Sequence, residues 1–87
     1  VPDHLEVGKH YHGWPWDYRL WPDNQRRDFW CHVRGLNAEA GPRYFGDALS
    51  YPYWYPQVRR DHLFDLEAGA YVVEVTEEEF LCAILSR

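Results

Sequence analysis

His10 and His12 stand two positions apart, and on an extended chain side chains two apart point the same way. Such a pair offers two imidazoles to a metal, or one as a general base. A zinc site takes three or four ligands, so His4, His32 or Asp28 would have to complete it, and no spacing in the chain requires that. No metal and no cofactor are expected. General acid–base work needs only one tuned residue in a pocket. His10 and His12 are the first candidates, with Asp28 beside His32 and Asp61 beside His62 behind them. Neighbouring residues of a strand face opposite ways, which weakens the Asp61–His62 pair. Nucleophilic catalysis has little to draw on. The only serines are Ser50 and Ser86, and there is no Gly-x-Ser-x-Gly. Cys31 and Cys82 each sit among apolar neighbours and read as small buried hydrophobes, with their bridging left open. No catalytic residue is assigned.

A second pattern concerns binding. Trp14-Pro15, Trp21-Pro22, Tyr51-Pro52 and Tyr55-Pro56 use four of the six prolines. Proline fixes φ and removes a donor, so these stretches are stiff and cannot pair regularly. X-Pro bonds also admit the cis form, which any of the four can take up. The expectation is two rigid aromatic loops, 13–22 and 51–56. Rings held on such a backbone line a cleft or form the centre of an interface. Trp14, Trp16, Tyr18, Trp21, Tyr53 and Trp54 are the expected contacts, and Arg19 supplies charge or stacks on a ring. The competing outcome is that the loop rings fold back as a second small core.

The elements that must hold these loops follow from periodicity. Alternation predicts a strand over about 4–12, with Gly8 as a bulge, and another over 28–34. Arg43–Phe45 reads as a short strand and Asp47–Ser50 as a helical turn. His62–Leu66 and Ala70–Val75 flank Glu67-Ala68-Gly69 like the arms of a hairpin. Thr76 followed by Glu79 is a capping box, and Val75 and Phe80 occupy the two positions of a hydrophobic staple. Glu77, Glu78 and Glu79 favour the positive end of a helix dipole and Arg87 the negative end. A helix over 77–86 is expected, with Phe80, Ile84, Leu81 and Leu85 toward the sheet. The fold class is α+β: a small antiparallel sheet of four or five short strands, long aromatic loops and one C-terminal helix.

Composition sets the remaining bounds. Eighty-seven residues make one domain, 1–87. The sixteen aromatics equal the sixteen Leu, Val and Ile in number, so large rings supply much of the burial in a chain too small for a broad core. Residues 61–87 carry seven acids and one Arg, whereas 1–60 carry seven acids and eight bases. The acidic balance argues against a nucleic-acid partner, and no apolar run approaches the roughly 18 residues of a membrane span. No basic-then-apolar leader is visible, so a cytoplasmic location is expected. The sequence reading is a small non-enzymatic binding or protein-interaction domain. It would bind a small molecule or a protein and associate as a homodimer through its aromatic surface. The alternative is a small enzyme with His10 or His12 as general base in an aromatic-walled pocket.

Overall fold

A computed structural model describes residues 4–22, 27–51 and 56–86. Five strands, β1 (His10–Trp14), β2 (Phe29–Leu36), β3 (Tyr44–Ser50), β4 (Gln57–Phe64) and β5 (Tyr71–Val75), form one antiparallel sheet in the order β4-β3-β2-β1-β5. A 3-10 turn spans Tyr18–Leu20 and the helix α1 spans Glu77–Leu85. No helix among the described residues is long and apolar enough to cross a membrane.

Side chains alternate across the sheet and build two cores. On one face Leu49, Tyr51, Phe80 and Ile84 are buried, with Trp30, Val58, Val75 and Ala83 packed on them. This is the face that α1 covers. Its start is fixed as the sequence implies: Thr76 Oγ1 accepts from the Glu79 N–H at 3.1 Å, and the Glu79 carboxylate accepts from the Thr76 N–H at 3.1 Å. A cap of this kind contributes about 1 kcal/mol. Only Phe80 and Ile84 of the helix are buried. Leu81 and Leu85 are exposed, because residues one position further round the helix turn away from the sheet. Cys82 is exposed as well, and both cysteines are free.

On the far face Leu5, Tyr11, Cys31, Val33, Tyr44 and Val72 are buried, joined by Phe29, Ala48, Phe64, Leu66 and Ala70. The N-terminal segment lies here rather than in the ladder. Residues 4–8 were expected to pair, but Gly8 takes φ +91° in a turn and the ladder begins at His10. Buried phenol oxygens hold the segment in place instead. Tyr44 Oη accepts from the Leu5 N–H at 3.0 Å and Tyr11 Oη from the Glu6 N–H at 2.9 Å.

Two further expectations change. Asp47–Ser50 is not a helical turn. It continues β3, with Leu49 against the helix and Ala48 on the far face, so alternation outweighs the turn-forming residues before it. The Glu67–Gly69 turn does form, with the Ala70 N–H donating to the Glu67 carbonyl at 3.1 Å and Gly69 at φ +80°. It does not join a hairpin, since β4 and β5 occupy opposite edges. The chain from 65 to 70 crosses the far face, where Leu66 and Ala70 find apolar partners.

Replacing Tyr44 by Phe leaves the Leu5 N–H without its acceptor in a buried setting. A loss of about 1–3 kcal/mol is expected in urea unfolding. Tyr18→Phe removes only a solvent-exposed contact with Arg19 and is expected to stay within about 0.5 kcal/mol.

Candidate functional site

The far face is hollow at one corner. Register explains the hollow. Phe29, Ser50 and Gln57 stand side by side across β2, β3 and β4, and Cys31, Ala48 and Arg59 form the next row on the same face. The middle of both rows is small, and large rings flank it. Gly13 opposes Phe29, whose ring lies where a Cβ on residue 13 would stand, so the glycine lets that ring lie flat over β1. Phe64 packs on Tyr44 with ring centroids 5.8 Å apart. The result is a pocket of about 320 Å³, at the small end of ligand sites.

Its floor is apolar: Phe29, Cys31, Ala48, Phe64 and Leu66. Burial pushes the Cys31 thiol up to about 12, so it is a thiol and not a nucleophile at neutral pH. The rim is polar. Arg59, His62, Gln57 and Ser50 come from the strands, Asp65 and Glu67 from the crossover, and Arg27 and Pro15 from the loop between β1 and β2. The Arg27 guanidinium lies 4.3 Å from the centre of the Trp21 ring, which holds it by a cation–π contact. Among the described residues, none of Arg27, Arg59, Asp65 and Glu67 takes part in an ion pair.

The helix face carries the imidazoles. His10 and His12 do point the same way. His10 stacks on His32 at 4.1 Å and 11°, with Phe80 at 5.2 Å. His12 stacks on Trp30 at 3.8 Å and meets Trp14 at 4.1 Å. The carboxylates pair differently from the sequence reading. Buried Asp28 lies 2.8 Å from His12 Nε2 rather than beside His32. His32 faces buried Asp47 at 3.7 Å. Asp61 is not with His62 but with Arg34, which also reaches Asp47 at 3.7 Å. Bulges cause this last exchange. Arg60 and Asp61 together oppose Asp47, and Asp61 takes φ +51° with its N–H donating to Asp47 Oδ1 at 3.2 Å. No group of three or more His, Cys, Asp or Glu among the described residues is arranged to hold a metal.

Of the expected contact residues, Trp14 and Tyr18 lie together, 6.0 Å between centroids, with Tyr71 5.8 Å from Trp14. Arg19 donates to Tyr18 Oη at 3.1 Å. Trp16 is 64% exposed, its stem beside Gly69. Trp21 carries Arg27. Tyr53 and Trp54 lie outside the described residues. None of the five described residues lines the pocket; Pro15 between them does. Ser50, Gln57, Arg59 and Phe64 were not among the contacts expected from the sequence. Their signal was the pair of small residues at alternate positions, Ala48 and Ser50, facing Cys31 and Phe29 across the ladder. No protein-family model, curated protein or solved structure matches the chain.

Burial first, and His32 second, hold the His10 imidazole below its ordinary value, with Glu77 opposing. The unfolded chain takes up that proton near pH 6.5 while the folded chain resists it. The stabilising contribution is therefore full above about pH 6.5 and is lost as pH falls through the lower folded value. The melting temperature is expected to fall between about pH 7.5 and about pH 5.5, and to fall less in His10→Phe. An identical acid slope in the two proteins contradicts the assignment.

Proposed function

We propose that the chain is a small non-enzymatic binding domain whose ligand is a small molecule seated in the far-face pocket. The observation that carries this is the hollow itself. A chain this short has little apolar area to spare, yet two adjacent strands present Cys31, Ala48 and Ser50 where larger side chains would close the floor. An apolar floor with a few convergent polar groups is the usual character of a ligand site. The lining holds a thiol that burial keeps protonated, which favours binding over covalent chemistry.

The enzymatic reading, with His10 or His12 as base, draws support from the Asp28–His12 contact. It is the weaker reading, because the His12 ring packs against two indoles, His10 packs against His32 and Phe80, and neither imidazole lines the pocket. Self-association is favoured by Trp16 and Leu20, 64% and 79% exposed four residues apart on one loop. Such a contact uses a surface separate from the pocket lining and is compatible with it.

Titration of a fragment library into isotope-labelled protein tests the main reading. Amide shifts are expected to cluster on Phe29, Ala48, Ser50, Gln57 and Phe64. They are expected to vanish in Ala48→Leu, whose added atoms project into the hollow and leave the sheet folded. Shifts confined to residues 15–22, or an Ala48→Leu variant that binds unchanged, overturn it.

A further inference from the structure

The pocket walls carry charge of both signs, and the signs are kept apart. Asp65 and Glu67 come from the crossover. Arg59 comes from β4, and Arg27 from the loop that ends at β2. All four line one cavity, yet among the described residues none of them forms an ion pair with another or with anything else. Opposite charges free to move on long side chains collapse onto each other when nothing holds them apart. Here Arg27 is held on Trp21 at 4.3 Å, and Asp65 turns an oxygen to its neighbour, accepting from the Leu66 N–H at 2.9 Å. Arg59 is fixed by its row, opposite Ala48. The apolar floor of Phe29, Ala48, Phe64 and Leu66 belongs to the same cavity as both signs.

Building on the small-molecule reading above, we infer that the pocket takes a small zwitterion with an apolar body, the chemistry of a free apolar or aromatic α-amino acid. The carboxylate of such a molecule meets Arg59 and Arg27, its ammonium meets Glu67 and Asp65, and its side chain covers the floor. An anion alone leaves the two carboxylates of the rim facing an apolar body, and a cation alone leaves the guanidiniums so. The pocket's volume, about 320 Å³, suits a single residue-sized molecule.

Four probes of one size separate the possibilities: L-phenylalanine, 3-phenylpropionate, 2-phenylethylamine and benzyl alcohol, each titrated against the intact chain with the pocket amides as readout. L-phenylalanine is expected to bind at least about tenfold more tightly than either singly charged probe, the worth of one charge-assisted contact. Arg59→Gln is expected to weaken L-phenylalanine and phenylpropionate while sparing phenylethylamine. Glu67→Gln is expected to weaken L-phenylalanine and phenylethylamine while sparing phenylpropionate. Both substitutions lie at exposed positions, so the fold tolerates them. Equal binding of phenylpropionate and L-phenylalanine, preference for benzyl alcohol, or indifference to both substitutions overturns the zwitterion inference and leaves the pocket a ligand site. Silence from these probes while library fragments still shift the pocket amides also overturns it. Silence from every molecule overturns the small-molecule reading itself.

Discussion

The ladder between β1 and β5 constrains the rest of the molecule. His10 faces Val75 and Trp14 faces Tyr71, so β5 pairs at the edge opposite to β4, from which the chain has just come. The connection must run from Phe64, beside Tyr44, to Tyr71, beside Trp14. On a flat sheet those corners are roughly 30 Å apart, counting four strand spacings across and about seven residues along. Seven Cα steps reach at most roughly 25 Å. The sheet therefore curls toward the far face, and the bulges at Arg34 and at Arg60–Asp61 supply the bend and added twist. The curl makes the far face concave. The taut crossover becomes one wall of the pocket and delivers Asp65 and Glu67 to it.

The two faces divide the work. The far face buries the phenols of Tyr11 and Tyr44, whose oxygens satisfy backbone donors of the N-terminal segment, and leaves one corner open. The helix face is closed by α1 and is unusually polar for a core. Asp28 and Asp47 are buried there, each beside an imidazole, and the imidazoles lie among Trp14, Trp30 and Phe80. Such pairs are costly to bury and are seldom a net source of stability. They do penalise any register in which a carboxylate loses its imidazole. A slip of one residue between β1 and β2 would turn His10 and His12 to the far face, so the pairs specify alignment in a sheet whose apolar residues occupy both sides.

What could be read from the sequence was local. The capping box at Thr76 and Glu79 involves residues three apart, and the helix followed from it within a residue of its end. Alternation located β2, and the shared orientation of His10 and His12 was correct. Apart from the exposed Leu81 and Leu85, the failures were decisions made by distant parts of the chain. Residues 4–8 alternate like a strand, but Tyr11 and Tyr44 offer their donors better partners than the ladder does. Glu67–Gly69 has the turn chemistry of a hairpin, yet the free edge of β1 captures the strand that follows. Asp28 chose His12 over His32 because register, and not proximity in sequence, sets neighbours in a sheet. The pocket was invisible for the same reason. Cys31, Ala48 and Ser50 are ordinary singly and become a hollow only when β2 and β3 pair and set them on one face.

The pairing of β5 with β1 sets the crossover and the pocket wall, and cross-strand proton contacts report that pairing directly. In antiparallel sheet, Hα–Hα contacts arise between facing residues of the more closely spaced pairs. Nuclear Overhauser spectra are expected to show such contacts between residues 10–14 and 71–75, and none between 57–64 and 71–75. Contacts linking 57–64 to 71–75 would make the two strands a hairpin, remove the crossover from the far face and leave the pocket without its acidic wall.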